Sequence, residues 1–377
     1  MLKKYNITLY NLLFMIATVA AIYYNGVNVM IAKYVAMGLF AILFVCALSK
    51  SSKEGIKPIF RKWAKWLVLF TLINMLYGME PENWFPQEIA MPLMIAFSST
   101  YLFTLDYEQL KKWFIPLGIV FSYIAYMSVI QGIGSLIVNE NSGGVDVAKN
   151  QIGPCFTSIA ILSYVFFINK DTRVWERVVF GAVTILNLYP ALYLGCRAAL
   201  LCFFVVAVFT TFKAYRAKGV FILAIIGVSV MILFGKNELS DILYSSFVGQ
   251  RDVNDFSSMT SGRNVNMEES WNYFCRHPLL GLYGSGDYVG VPANAHIYLL
   301  YHITKWGLIG AIPAIALYIS ICKIFYRSYK AKDIIIFALL FVAMVESLAE
   351  YAPPFGPGSC FTMTYLILGI YLKNNEV

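Results

Sequence analysis

Histidine and arginine side chains around one polar stretch of the chain are the residues best suited to chemistry. The sequence contains three histidines, and His296 stands where the polar stretch of residues 236–295 meets an apolar run. A neutral imidazole can accept a proton from a hydroxyl group near neutral pH. Arg197 begins an apolar run, and Arg263 and Arg276 lie in the polar stretch. Guanidinium groups bind phosphate oxygens in bidentate fashion, so these residues predict proton transfer beside a bound diphosphate.

Two carboxylates are further candidates. Glu346 and Glu350 end an apolar run, and ionisable groups in such positions are usually paired or functional. Either could accept a proton or pair with Arg197, and the sequence does not choose between them. His302 lies on another side of the helix that follows His296, and we interpret it as a packed polar residue.

The elements that position these residues are predicted to be membrane helices. The 377 residues are 59% hydrophobic and only 13% charged, whereas a soluble domain has about 25% charged residues. Runs near the ~20 residues that cross a bilayer recur along the chain, and a lipid environment requires them to be helical. We predict an all-α polytopic membrane protein, 1–377 as one integral membrane domain, with twelve spans near 7–24, 28–48, 63–79, 87–105, 113–134, 151–169, 174–193, 197–214, 219–235, 296–322, 333–350 and 358–373.

The lysines and arginines of the short loops predict the orientation. Most of the 29 basic residues fall on the same side of the twelve predicted spans, among them Lys50, Lys57, Lys213 and Lys373. Short loops rich in Lys and Arg remain in the cytoplasm, so both termini are predicted to be cytoplasmic. The net charge of +8 then reflects topology and affinity for anionic membrane lipids, and it indicates no nucleic-acid partner.

The polar stretch of residues 236–295 is predicted to be a large extracytoplasmic loop between spans nine and ten. It is too short for an independent stable core, so we expect it to pack on the helix ends as a cap. Its aromatic middle, residues 269–275, predicts a short helix. The seven cysteines form no CxxC pair and suggest no metal site.

Several segments together resemble the O-antigen ligase and polymerase superfamily. The apolar run that starts at His296 and continues through Gly307 to Gly310 is similar to a helix of that family that starts with histidine. The preceding ArgHisProLeuLeuGlyLeuTyrGly (276–284), LysAsnGlnIleGlyPro (149–154) and CysArgAlaAla (196–199) also resemble family signatures. The resemblance covers roughly residues 145–370, and the first five spans match only in hydropathy.

This resemblance implies a GT-C-like, metal-independent glycosyltransferase without a cofactor. Its substrates would be undecaprenyl-diphosphate-linked oligosaccharides as donor and acceptor, used on the periplasmic face of the bacterial inner membrane. A polymerase would extend the glycan on the next lipid-linked repeat unit, whereas a ligase would transfer it to lipid A core. The compact chain favours the polymerase, with membrane lipids and a chain-length regulator as further candidate partners.

The residues receive roles in that reaction. Fixed cations would stabilise the leaving diphosphate, and we assign this to Arg197 and Arg263. His296 is the first choice for the base that accepts the acceptor proton, and Glu350 is the second. Candidates for substrate binding are Arg276, His277, Lys149, Asn150, Trp271, Tyr273, Tyr298 and Glu346, of which the aromatic side chains offer flat faces to sugar rings.

Two positions depart from the family pattern, and two other classes of protein remain open. Cys196 stands where the family often has serine, and Ile297 stands where it often has Asn or Gln. A transporter or flippase of lipid-linked sugars would also have many spans, but it should show interrupted helices with charges near the membrane centre. A non-catalytic membrane scaffold would not need arginines beside a histidine.

Overall fold

The apolar runs of the chain form long helices. A computed structural model of the protein describes residues 8–130, 145–193, 196–219, 221, 262–286, 295–356 and 361–375, and these residues are helical with no strand. The helices are α1 (Leu9–Val27), α2 (Met30–Glu54), α3 (Pro58–Leu76), α4 (Gln87–Leu102), α5 (Tyr107–Ile130), α6 (Val145–Ile168), α7 (Val174–Tyr193), α8 (Arg197–Tyr215), α9 (Arg263–Arg276), α10 (Gly281–Ser285), α11 (Tyr298–Gly310), α12 (Ile312–Ala331), α13 (Ile334–Glu346) and α14 (Thr362–Asn374). A single 3₁₀ turn, Pro81–Asn83, lies between α3 and α4.

Several of these helices are suited to a membrane. Among the described residues, four helices are long and apolar enough to cross one: Leu9–Val27, Met30–Glu54, Tyr107–Val129 and Arg197–Tyr215. Two shorter apolar stretches are Ile152–Ile168, which is part of α6, and Ile334–Glu346, which is α13. These helices indicate a membrane protein. The predicted number of twelve spans and the single integral domain stay predictions, and most of the ninth run, 219–235, lies outside the described residues.

The predicted tenth span is wrong as one continuous helix. Gly307 has φ 66° and ψ −178°, which interrupts the run of residues 296–322, and α12 continues to Ala331. The eleventh run is also shorter than predicted, because the α13 helix ends at Glu346 and a turn carries Glu350. Hydropathy marks apolar runs but does not register a backbone break inside one.

Among the described residues, a large hydrophobic core has buried members from Phe14 in α1 to Leu372 in α14, and a small second cluster packs Ala191 of α7 against the start of α8. Small residues allow the closest contacts. A Cβ on Gly369 of α14 would lie 2.5 Å from Cβ of Ser99 in α4, and the Ser99 hydroxyl donates to the Leu366 carbonyl at 2.6 Å. Close approach at small residues is typical of helix packing in membranes.

One end of the bundle, which we call the lysine end, is defined by Lys50, Lys57, Lys213 and Lys373. Their ammonium groups donate to main-chain carbonyls near helix C-termini: Lys50 to Tyr101 at 2.7 Å, Lys373 to Phe103 at 3.0 Å and Lys213 to Tyr329 at 3.0 Å. Lys57 reaches the carbonyls of Leu372, Lys373 and Asn375. A cation here also complements the negative end of the helix dipole.

The opposite end, which we call the site end, follows from the direction of α13. This helix starts at the lysine end, where Asp333 accepts a hydrogen bond of 3.1 Å from the Tyr107 hydroxyl. Its 13 residues rise about 20 Å, so Glu346 and Glu350 lie at the far end of the bundle. The α9, α10 and α11 helices pack together there.

Candidate functional site

A histidine, a glutamate and an arginine meet at the site end. Nδ1 of His296 lies 3.2 Å from Oε2 of Glu350, and the other carboxylate oxygen, Oε1, accepts a hydrogen bond of 2.5 Å from Arg263. Arg263 also donates to the Ala349 carbonyl at 2.9 Å. The Glu350 side chain is 8% exposed, whereas those of His296 and Arg263 are 21% and 29% exposed. The carboxylate is therefore buried and satisfied, while its two partners remain accessible.

The end of α13 and the start of α11 position the two acid–base residues. The turn after α13 is closed by a hydrogen bond of 2.8 Å from the Glu350 amide to the Glu346 carbonyl. The amide of Tyr298, at the start of α11, donates to the Ser347 carbonyl at 3.0 Å. His296 precedes this joint by two residues, so the backbone contact fixes the imidazole beside the carboxylate.

The α9 helix supplies Arg263 and confirms the short helix expected in residues 269–275. Gly262, with φ 74°, precedes the helix, and Arg263 is its first residue. Further along, the Thr304 hydroxyl of α11 donates to the Ser270 carbonyl at 3.1 Å. This contact holds α9 against α11, and the predicted extracytoplasmic cap of residues 236–295 stays a prediction.

The segment after α9 inserts its backbone into the break of α11. The amides of Leu308 and Ile309 donate to the carbonyls of Pro278 and Leu279 at 2.8 and 3.1 Å. Gly281 and Gly307 both have left-handed φ values, +65° and +66°, and a Cβ on Gly307 would lie 2.3 Å from the Leu279 oxygen. A left-handed φ with backbone this close leaves room only for glycine at both positions.

Arg197 is the first residue of α8, half-buried, with Cys196 before it. A Cβ on Gly153 of α6 would lie 3.2 Å from Cβ of Cys196 and of Ala199, so the segments around 149–154 and 196–199 pack together. Cys202, further along α8, is within electrostatic range of Glu346 and Glu350. The start of α8 is therefore at the site end. The predicted binding side chains of Lys149 and Asn150 lie outside what the structure describes.

The two candidate carboxylates differ sharply. Glu350 contacts Arg263 and His296, a pairing that the sequence did not predict. Glu346 is 1% exposed, and neither of its carboxylate oxygens has a hydrogen-bond partner among the described residues. The contacts therefore favour Glu350 over Glu346 as the carboxylate of an acid–base pair.

Other candidates lie away from this cluster. Arg276 ends α9, about 20 Å along the helix from Arg263, and lies over the ring of Tyr273 at 5.5 Å. His277 follows it as the C-cap. Trp271 is 52% exposed and contacts Phe274. Their predicted binding roles stay predictions.

Tyr298 is a buried residue that lines a cavity at the site end. It is 1% exposed, stacks on Tyr318 at 5.2 Å, and its hydroxyl donates to the Ala314 carbonyl at 3.4 Å. It lines a cavity next to the cluster, together with His302 and Tyr351. Burial raises the pKa of Tyr351, and the nearby carboxylates of Glu88 and Glu350 raise it further, so this phenol stays protonated.

Sequence analysis missed the contacts that shape this cavity. Asn74 of α3 accepts a hydrogen bond of 2.8 Å from the Trp306 indole and donates to the carbonyls of Asn83 and Trp84. One amide thus joins α3, the 3₁₀ turn and α11. An asparagine within an apolar run was the available signal, because a buried amide needs partners.

No metal-binding cluster is evident in the part of the chain that the structure describes. There, no group of three or more His, Cys, Asp or Glu side chains is close enough to hold a metal ion. The expectation of a metal-independent reaction stays a prediction.

Comparison with known proteins adds no relative. No family model matches the chain, and no curated protein matches it. The geometry of the site end therefore carries the functional argument.

Proposed function

We propose that this chain is a membrane glycosyltransferase that polymerises polyprenyl-diphosphate-linked oligosaccharide repeat units, of the kind used for O-antigen or related surface polysaccharides. The contact of His296 with Glu350, which in turn binds Arg263, carries the proposal. Such a cluster can accept a proton from a sugar hydroxyl while a cation lies nearby.

His296 is the proposed base. A carboxylate that accepts a hydrogen bond from Nδ1–H selects the tautomer in which Nε2 holds the lone pair. The same carboxylate stabilises the imidazolium that forms when Nε2 takes a proton. Glu350 is thus proposed as the positioning residue for His296, and its buried, hydrogen-bonded state suits that role.

Arg197 and Arg263 are proposed to bind the diphosphate. Arg197 begins α8, where the positive end of the helix dipole also favours an anion. Two guanidinium nitrogens of Arg263 donate to Glu350 and to the Ala349 carbonyl. Because a guanidinium has five N–H donors, Arg263 can still donate to a phosphate oxygen.

The proposed reaction is a single displacement of the carrier. The acceptor oxygen bonds to the anomeric carbon of the donor glycan, and the bond from that carbon to the diphosphate oxygen breaks. The acceptor proton moves to His296, and the electron pair of the broken bond leaves with undecaprenyl diphosphate. Fixed cations stabilise the charge that develops on that oxygen.

The proposal includes a topology. The chain would cross a bacterial inner membrane twelve times, with both termini and the lysine end in the cytoplasm and the site end in the periplasm. The concentration of lysines at one end supports this orientation through the positive-inside rule. Residues 236–295 would then form the periplasmic loop.

Cys275 allows a direct test of this topology. It lies on α9 and is exposed, whereas Cys155, Cys196 and Cys202 are buried. In intact cells, a maleimide that cannot cross the inner membrane should label the wild type and should label the Cys275→Ser variant less. Labelling of Cys275 only after the inner membrane is permeabilised would contradict the proposed orientation.

The activity test uses purified full-length protein with the undecaprenyl-diphosphate oligosaccharide of its source cells. That substrate can be extracted from cells that lack this chain. A ladder of longer lipid-linked glycans is the expected result. Transfer only onto added lipid A core would identify a ligase, and translocation into vesicles without new glycosidic bonds would identify a transporter; either result would overturn the proposed polymerase.

A further inference from the structure

A cavity of about 320 Å³ lies at the site end, between α11 and the segment that joins α3 to α4. Its floor is formed by buried residues, including Asn74, His302 and Trp306, which are 2%, 5% and 7% exposed. Its rim includes Phe85 and Glu88, which are exposed. A cavity of this size with a buried floor and an open rim is typical of a small-molecule binding site.

Aromatic rings form much of the wall. The rings of His302 and Trp306 stack with centroids 5.0 Å apart, and Tyr283 meets Trp306 edge-on at 5.1 Å. Tyr301 and Tyr351 lie 4.8 Å apart. Because these rings pack on one another, their orientations are fixed before any ligand arrives. Flat apolar faces of this kind fit the C–H face of a sugar ring.

The cavity also offers unused hydrogen-bonding capacity. Nδ1 of His302 is buried and has no hydrogen-bond partner among the described residues. A buried polar atom without a partner costs free energy, so such atoms are rare and call for an explanation. A ligand hydroxyl could supply the missing partner. At the rim, the side chains of Asn83, Gln87 and Glu88 can bond to further hydroxyls.

The charge of the cavity disfavours a phosphate group as its occupant. The charged side chains that line it in the described structure are the carboxylates of Glu82 and Glu88, and none of the lining residues is Lys or Arg. A phosphate would be repelled here and attracted to Arg197 and Arg263. Lys305 interacts electrostatically with Glu88, which reduces the negative charge at the rim. The cavity therefore suits a neutral ligand rich in hydroxyl groups.

The cavity shares two chain segments with the proposed acid–base pair. Tyr351 and Ala352, which line it, directly follow Glu350 in the chain. Tyr298, also in the wall, follows His296 by two residues. The segments that carry His296 and Glu350 thus also form part of the cavity wall, although neither of these two residues lines it.

We infer that this cavity binds a neutral sugar unit of the acceptor glycan, held between the aromatic wall around Trp306 and the polar atoms of His302 and the rim. The inference rests on the proposed function and assigns the acceptor position within it. His302 is packed among aromatic rings as the sequence predicted, and we assign it a binding role in addition.

The test is a direct binding measurement that does not require turnover. Mild acid releases the free repeat-unit oligosaccharide from the lipid-linked units extracted from source cells that lack this chain. Its binding to the purified full-length protein is measured by equilibrium dialysis at millimolar concentrations. The wild type and the His296→Ala variant should both bind the oligosaccharide, because His296 is proposed to act in the reaction and does not line the cavity.

Two variants change the cavity in different ways. Phe85→Ala removes a rim ring that is 45% exposed, so the fold should tolerate it, and His302→Phe keeps a ring of similar size but removes the hydrogen-bonding nitrogens. Each should weaken binding about tenfold. The matched control is Trp175→Ala, which removes an aromatic side chain that is 54% exposed at the start of α7, by the lysine end, and should leave binding unchanged.

The outcomes separate this inference from the proposed function. If the wild type polymerises but binds no oligosaccharide, the cavity assignment alone is overturned. The same holds if the wild type polymerises and Phe85→Ala and His302→Phe bind the oligosaccharide as tightly as the wild type does. Binding that depends on both residues in a protein that makes no glycosidic bond would overturn the polymerase but retain a saccharide site. Absence of both binding and transfer would overturn the two together.

Discussion

The lysine end and the site end of the bundle both carry charged side chains, but these side chains bond to different partners. At the lysine end, ammonium groups donate to main-chain carbonyls of helix C-termini, as Lys57 does to Lys373 and Asn375. At the site end, Arg263, Glu350 and His296 bond to one another through their side chains. The first arrangement satisfies carbonyls that any helix end leaves open.

The second arrangement teaches more about function. A buried carboxylate held by an arginine and an imidazole is costly to assemble, because the charged groups lose much of their hydration. Helix termination does not require it. The difference between the two ends therefore separates charges that complete the fold from charges available for chemistry, and four predictions test that separation.

The largest expected effect is on turnover at the site end. His296→Ala removes the proposed base and should lower kcat by about 10²- to 10⁴-fold. Glu350→Gln keeps the side-chain size but cannot stabilise an imidazolium, so it should also lower kcat strongly. The double variant should be little worse than His296→Ala, because residues that act as a unit are not additive. The measurement is the rate of ladder formation by purified, correctly folded protein.

Glu54→Gln is the matched control for this prediction. Glu54 is an exposed carboxylate at the lysine end and lies 3.7 Å from Lys50. Its loss should leave the rate unchanged. A His296→Ala protein with normal turnover would remove the imidazole from the mechanism.

The next effect is on folding at the site end. Gly307→Ala places a Cβ within 2.3 Å of a backbone oxygen at a left-handed φ, and it should lower the free energy of unfolding by more than about 3 kcal/mol. Gly38→Ala in α2, where a Cβ meets nothing within 4 Å, should change stability by less than about 1 kcal/mol. Unfolding of both variants in detergent gives the comparison; similar stabilities would mean that α11 continues without the break.

Arg263→Ala should have an intermediate effect. It leaves the carboxylate of Glu350, 8% exposed, without its closest partner. Breaking a fully buried pair costs about 3–5 kcal/mol, and because Arg263 is 29% exposed we expect about 2 kcal/mol. In the Glu350→Gln background the same substitution should cost much less. Equal costs in both backgrounds, measured by chemical unfolding, would show that the two residues are not coupled.

The smallest effect is expected at the lysine end. Lys57→Ala removes donors from three carbonyls at the end of α14 and should destabilise the protein by about 1 kcal/mol without changing turnover. Lys53→Ala, an exposed lysine on the last turn of α2, is the matched control for a lost surface charge. A large loss of activity in Lys57→Ala would contradict the idea that charges at the lysine end serve only the fold.

The lengths of the apolar runs and the positions of the charged residues were enough to predict the helices and the candidate site residues from the sequence. The runs of apolar residues predicted helices that the structure contains over most of their length, from α1 to α14. They also pointed to a membrane protein, because only helices of this length and composition satisfy their backbone in lipid. His296, Glu350 and Arg263 were selected by residue type and position alone. Such features are local, and a sequence displays them directly.

Only the tertiary structure decided which candidates meet. His296 and Glu350 are 54 residues apart in the chain, and Arg263 and Glu350 are 87 apart, so no local pattern fixes their contact. The sequence ranked Glu350 only as the second choice of base, and the structure places it, and not Glu346, against His296 and Arg263. The break at Gly307 and the cavity over His302 arise because distant segments pack into α11. Pairings of this kind depend on how whole helices are arranged, which residue type and spacing do not determine.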